Sequence, residues 1–308
     1  MTARNTASPS PADPAGAPDA AAGSAPAPAG AREFRFERHH FDRIAQLLHQ
    51  LAGIALASHK IEMVYARLAR RLRDLRLPDF DAYCALLDSE EGAGEIGFLV
   101  NALTTNLTSF YREAHHFQFL EQVVLPEIRA HNTGVPKPRL RIWSAGCSSG
   151  PEPYSIAMVL ASTLGADLRR WDARILATDI DTHMVETAKR GVYALDGVSG
   201  IPPAIRARYT EPATLNGEPA VAMSGELKRL ITVKPLNLLE RWPMSGPFDA
   251  IFCRNVLIYF DRQGRTQVIE SFSRMLASGG YLFLGHSESL YGVSSSFHQA
   301  GPTIYQKA

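Results

Sequence analysis

Three cysteines in 308 residues, Cys84, Cys147 and Cys253, are too few and too far apart for a disulfide framework or a cysteine-rich zinc site. Reduced thiols in a reducing compartment are the expectation. Charge of one sign is missing as well. Lys and Arg number 32 against 31 Asp and Glu, a net of +1, so no global field draws the chain to nucleic acid or to an anionic membrane. No apolar run reaches the roughly 18 residues of a membrane span. No Leu/Val-type block follows Arg4, as a secretion signal would require. Together these absences describe a cytoplasmic protein with no nucleic-acid partner and no direct membrane insertion. Internal repeats are also lacking.

What is present is close to an average soluble globular composition, 45% hydrophobic and 20% charged. Residues 1–33 are Ala/Pro-rich and have too little large apolar surface to offset ordering entropy, so a disordered tail is expected there. Residues 34–105 carry a helical period. Phe41, Ile44, Leu48 and Leu51 mark one helix, which should stop near Gly53. Ile61, Tyr65, Leu68, Leu72 and Leu75 mark a second, Phe80, Tyr83 and Leu87 a third, and Ile96, Leu99 and Leu103 a fourth. That predicts a small all-α domain. Residues 106–138 read as a linker and a connecting helix over about 113–131.

From residue 139 onward strands and helices alternate, which predicts an α/β, Rossmann-like doubly wound sheet with an insertion at about 193–229. Asn216-Gly217 is a hairpin signal inside that insertion, and residues 302–306 could form a final antiparallel strand. Arg139–Ala145 ends in a loop bearing Gly146 and Gly150, and a helical pattern follows. Later strands end at Asp179, at Arg254-Asn255 and at Gly285-His286. Parallel sheets bind ligands beyond the carboxyl ends of their strands, so these residues should converge. The glycines are spaced G-x-x-x-G rather than the G-x-G-x-x-G of a pyrophosphate cradle, and Glu152 would repel a phosphate. A carboxylate suits S-adenosyl-L-methionine, which carries a sulfonium and an ammonium and no phosphate. Asp179 fits a ribose diol. Asn237 closes a further strand of the same series.

Several strings together resemble the CheR family of chemotaxis-receptor glutamate O-methyltransferases. They are Asn101–Phe117, Trp143–Ser155, Ala177–Asp181, Asn237–Leu239, Phe248–Asp261 and Gly285–Glu288. The resemblance implies an α-helical N-terminal domain, a methyltransferase domain with a small antiparallel subdomain inserted in it, and methyl transfer from S-adenosyl-L-methionine to receptor glutamates. By matching positions it implies cofactor contacts from Asn106, Thr108 and Arg112 in the linker, from Glu152 and Asp179, and from Asn237, Leu238, Arg254 and Asn255. Arg112 and Tyr259 would lie nearest the transferring methyl. The implied partner is the cytoplasmic helical bundle of methyl-accepting chemoreceptors, engaged by a monomer. Pro151 stands where the family usually has an acidic residue before the glutamate. The insertion, with Gly217 and Gly225 as its only glycines between Arg208 and Leu230, lacks the Gly-x-Gly loop by which some members bind a receptor C-terminal peptide.

A glutamate acceptor is ionised at pH 7 and needs no general base, which agrees with the lack of an obvious His–Asp pair at the strand ends. Arg67, Arg70, Arg71 and Arg73 fall opposite the apolar face of the second helix at 100° per residue, a candidate docking face for an acidic bundle. No metal is expected: His115 and His116 point about 100° apart on a helix. The competing readings are a non-catalytic adaptor binding cofactor or receptor, a nucleic-acid methyltransferase, and a serine hydrolase. The last rests on Gly285-His-Ser-Glu-Ser289, which lacks the final glycine of a nucleophile elbow.

Overall fold

The computed structural model describes residues 32–292 and 294–308. The expected disordered tail lies, up to residue 31, outside the described residues. Helices α1 (Arg38–Ala52), α2 (Ile61–Leu75), α3 (Phe80–Leu87) and α4 (Ala93–Leu103) come first. Their apolar stripes meet in one core built on Phe41, Ile44, Leu48, Leu68, Leu72, Phe80 and Leu99. Gly53 ends α1 in a left-handed cap, its N–H donating to the His49 carbonyl. Asp79 starts α3 by accepting from the Ala82 N–H at 2.8 Å. The expected connecting helix is present as α5 (Ala114–Phe119) and α6 (Leu125–His131), joined by a π-helical turn over Leu120–Val124.

The remainder supplies β1 (Arg139–Ala145), α7 (Pro151–Leu164), β2 (Asp172–Asp179), α8 (Thr182–Arg190), β3 (Val192–Ala194), α9 (Pro203–Tyr209), β4 (Thr210–Leu215), β5 (Glu218–Met223), α10 (Gly225–Lys228), β6 (Ile231–Pro235), β7 (Phe248–Cys253), α11 (Arg262–Met275), β8 (Leu276–Leu284), β9 (Phe297–Gly301) and β10 (Ile304–Lys307). The main sheet has seven strands in the order β6-β2-β1-β7-β8-β10-β9. Its first five strands are parallel and β10 runs antiparallel to β8. The expected final strand therefore exists, and it pairs with β9, which the sequence reading did not anticipate. The insertion folds as a separate three-stranded antiparallel sheet, β3-β5-β4. Asn216 and Gly217, both at positive φ, make its hairpin turn.

The chain leaves β1 toward β2 and β6 on one side and later returns to β7 and β8 on the other. The loops after β1 and β7 thus diverge and open a crevice at the carboxyl end of the sheet. The helical region covers this crevice within one compact unit, residues 34–308. Ile54 bridges Phe260, the Ala55 N–H donates to the Tyr259 carbonyl at 2.9 Å, and Ile180 and Tyr259 pack against the helical core. No described helix is long and apolar enough to cross a membrane.

Candidate active site

The loop after β1 turns on Gly146, at φ +81, where an added Cβ would come within 2.3 Å of the Val256 side chain. Glycine is therefore needed for the turn and for the approach of the β7 loop, beyond any demand a ligand makes. Gly150, at φ +104, precedes Pro151 in the first turn of α7, where proline's missing N–H costs nothing. The proline thus leaves Glu152 in that turn, where the helix dipole favours an anion. One Glu152 oxygen accepts from Ser144 Oγ at 2.7 Å and the other from Arg254 Nη1 at 3.1 Å. Burial pushes the Glu152 carboxyl up, and the Arg254 charge opposes that shift.

Asp179 ends β2 almost fully buried. Its oxygens accept the N–H groups of Ser148 at 2.7 Å and Asp181 at 2.9 Å. Burial nevertheless raises its pKa to about 6. A carboxylate offers about four lone-pair positions, so acceptor capacity remains after these two bonds.

Asn106, Thr108, Arg112, Glu152 and Asp179 from the first half line the same cavity, of about 220 Å³, as Asn237, Leu238, Arg254, Asn255 and Tyr259 from the second. Their roles are not equivalent. Asn106 directs its amide to Asp181 Oδ2 at 2.7 Å, while its carbonyl accepts from Ser148 Oγ at 2.9 Å. Arg112 is half-buried and donates to the Leu107 carbonyl at 2.9 Å. The Asn237 amide reaches the Leu51 carbonyl at 2.8 Å and so ties the β6 loop to α1. Asn255 sits at φ +59 and donates its N–H to Glu288. Tyr259 holds its hydroxyl 3.5 Å from the Thr105 carbonyl and its ring 5.7 Å from Lys60 Nζ. None of the lining residues is a histidine.

Several contributors escaped the sequence reading. Lys60, Ile54 and Leu56 reach the cavity from the helical region. Asp181 caps α8 and also accepts from Asn106 and Thr104. Buried Glu288 gathers the N–H groups of Asn255, Ile258 and Gly285 and so joins the β7 and β8 loops. Asp181 and Glu288 both stand inside the strings singled out above. An acid just before a helix was the available signal for the first; for the second there was none.

The outward basic face expected on α2 needs correction. Arg67 donates to the carbonyls of Ala102 and Thr104, at 3.0 and 2.7 Å, where α4 ends. Arg71 forms a two-pronged pair with buried Glu95, at 2.9 and 2.6 Å. Both flank the buried Val64–Leu68–Leu72 stripe, and a long side chain from such a flank reaches the neighbouring helix. Arg70 and Arg73 are the exposed members of the set. His39, His40 and Asp81 bring ligand-type atoms within 4.8 Å of one another. His40 Nδ1 accepts the Glu37 N–H at 3.0 Å, which places the ring proton on Nε2, facing Asp81. A metal at Nε2 would force a proton onto Nδ1 against that N–H.

The donor set suits a zwitterionic, diol-bearing cation. Glu152 offers a buried anion, Arg254 a buried cation whose Nε has no hydrogen-bond partner among the described residues, and Asp179 a carboxylate with spare lone pairs. Comparison with known proteins agrees. Residues 106–306 match the family described as CheR methyltransferase, SAM binding domain, and residues 39–104 match CheR methyltransferase, all-alpha domain. The fold and the cavity therefore define a methyltransferase whose methyl donor is S-adenosyl-L-methionine. The chain is 45% identical to a chemotaxis protein methyltransferase of Escherichia coli over 86% of its own length and 90% of that protein's. It is 40% identical to chemotaxis protein methyltransferase 2 of Pseudomonas aeruginosa, over 92% and 99% of the two lengths. A chemotaxis protein methyltransferase of Borreliella burgdorferi is 32% identical over 88% and 94%. The chain belongs to the CheR methyltransferase family.

Proposed function

We propose that this protein esterifies glutamate side chains of chemoreceptors in the cytoplasm, as part of chemotactic adaptation. The observation that carries this reading is a cavity lined by the carboxylates Glu152 and Asp179 and by the cations Lys60, Arg112 and Arg254, with no histidine to act as base. With Glu152 and Asp179 both committed to the methyl donor in this reading, an acceptor that must lose a proton would lack a base there. An acceptor that is already a carboxylate needs none.

In this reading Glu152 and Arg254 hold the amino-acid end of the donor, Asp179 takes the ribose diol, and Asn237, Leu238 and Asn255 complete the walls. Asn106 acts at one remove by fixing Asp181 and Ser148. Thr108 sits on the linker beside Arg112. The donor supplies a methyl group on a positively charged sulfur. The chain's own task is to align a carboxylate oxygen with it and to exclude water, because opposite charges cancel as the bond forms. Arg112 orients the acceptor, and Tyr259 positions it through its hydroxyl. Arg70 and Arg73 meet an acidic receptor helix and raise the encounter rate more than the affinity.

Incubation with methyl-labelled donor and receptor cytoplasmic fragments tests the reading. Base-labile label on glutamate supports it. Label on another residue type, or none, refutes it.

A further inference from the structure

One short string, Arg112 to Phe117, builds the seat of Arg254 on the side away from Glu152. Arg112 gives it a backbone carbonyl as acceptor for Nη2. Glu113 places Oε2 at 3.4 Å from Nη2. Phe117 sets its ring 5.5 Å beneath the guanidinium carbon. Glu152 takes Nη1 from the cavity side. The Arg254 side chain is only 2% exposed, so its charge must be balanced locally.

Glu113 is the hub of this seat, although it does not line the cavity. Its other oxygen, Oε1, accepts from His286 Nδ1 at 3.0 Å, at the end of β8. Its Oε2 also faces His116 Nδ1 at 3.5 Å. His116 is fully buried, and its Nε2 lies 3.0 Å from Thr303 Oγ1 beside β10. Burial and the Arg254 charge push the His116 pKa down to about 3, so the ring is neutral and can turn a proton toward Glu113. Burial alone would raise Glu113, but the His286 hydrogen bond and the Arg254 charge bring it down to about 2. Glu113 holds φ +57, a strained value for a residue with a Cβ.

We infer that Glu113 is a positioning residue: from behind the cavity it fixes the Arg254 guanidinium against Glu152 and so sets the affinity for the methyl donor. This rests on the proposal that Arg254 and Glu152 hold the donor. Two carboxylates share one guanidinium here, and without Glu113 the guanidinium would swing fully onto Glu152 and consume the anion that the donor's ammonium needs. At metal sites, losing an outer-shell partner that orients an inner ligand costs about ten- to a hundredfold in affinity, and an effect of that order is expected here.

The test is donor binding by calorimetry on the full chain in Glu113→Ala, Glu113→Gln, Arg254→Ala and the Glu113→Ala/Arg254→Ala double variant. Glu113→Ala is expected to weaken donor binding about tenfold or more. Glu113→Gln keeps an acceptor oxygen for His286 but not the charge, and should fall between wild type and Glu113→Ala. On the Arg254→Ala background, Glu113→Ala should cost less than about twofold further, because its effect passes through the missing guanidinium. Additive losses would overturn the inference, as would lower thermal stability in Glu113→Ala with wild-type donor affinity. Wild-type affinity in Arg254→Ala would remove the group through which Glu113 acts and would refute the donor-holding role itself. Glu95→Ala, which disturbs the Arg71 pair that does not line the cavity, shows what loss of stability alone does to donor affinity. If Glu113→Gln does not fold, the inference fails as well, since the residue then serves the scaffold.

Discussion

Two carboxylate–guanidinium clusters, one around buried Glu95 and one around buried Glu152, are built to opposite plans. In the helical region Glu95 meets Arg71 through two prongs and accepts the Tyr83 hydroxyl at 3.0 Å. One acid faces one base, and neither partner leaves a buried polar atom without a hydrogen bond. At the strand ends two acids, Glu113 and Glu152, share Arg254. There Arg254 Nε, Glu113 Oε2 and His116 Nδ1 are buried without hydrogen-bond partners among the described residues. A cluster that closes on itself holds shape. One with surplus negative charge and spare donors is ready to receive a ligand with an ammonium and a carboxylate.

The first way to break the comparison is to remove the closed pair. Glu95→Ala should lose about 2–3 kcal/mol in urea denaturation, somewhat less than the 3–5 kcal/mol typical when one partner of a fully buried pair is removed, because Arg71 can still reach water. Donor binding should persist. If donor binding vanished in a protein that is still folded, the two clusters would not be independent. Next come the groups proposed to handle the acceptor. Arg112→Ala should lower receptor methylation about a hundredfold, and Tyr259→Phe about tenfold, with both proteins folded. Wild-type rates in both would remove them from the chemistry.

Asp179 sharpens the contrast through pH. Its folded pKa of about 6 lies above the unfolded value of about 3.9, so the native state binds the extra proton in that window. Stability of the ligand-free protein should therefore rise as the pH falls from about 6 to about 4, by up to about 3 kcal/mol from this group. Affinity should move the other way. Calorimetric binding of the donor and of its demethylated product should weaken together below pH 6, because both carry the ribose that ionised Asp179 would accept. A pH-independent affinity would take Asp179 out of ribose recognition. The smallest effect is expected at the exposed arginines. Arg70→Glu with Arg73→Glu should raise the receptor KM a few-fold at low salt, fade at high salt, and leave donor affinity unchanged. Unaltered salt dependence would dismiss that face as a docking surface.

Much of this was legible beforehand. Strand ends are readable because apolar runs stop at polar residues, and a parallel sheet delivers all those stops to one side. That is why Glu152, Asp179, Asn237 and Asn255 could be placed together before their geometry was known. Family resemblance added the linker residues, which no period would have placed over the crevice. Two of the four α2 arginines, Arg67 and Arg71, turn away from the expected outward face for a definite reason. A helical wheel gives the direction of Cβ, whereas Arg67 and Arg71 reach far beyond Cβ and find carbonyls and Glu95 on α4. Glu113, Asp181 and Glu288 stayed hidden because their partners are backbone N–H groups and other side chains, assembled only once distant loops meet. β9 was lost because five short, half-polar residues carry little alternation.

The Ile54–Phe260 bridge and the Ala55-to-Tyr259 hydrogen bond have a practical consequence for anyone dissecting the protein. The turn bearing Tyr259 is stitched, main chain to main chain, onto the segment just after α1, so the two halves cannot be separated at residue 105 without unpicking that seam. A fragment starting at Asn106 would keep every strand of the sheet and still leave the Tyr259 ring without the wall it leans on.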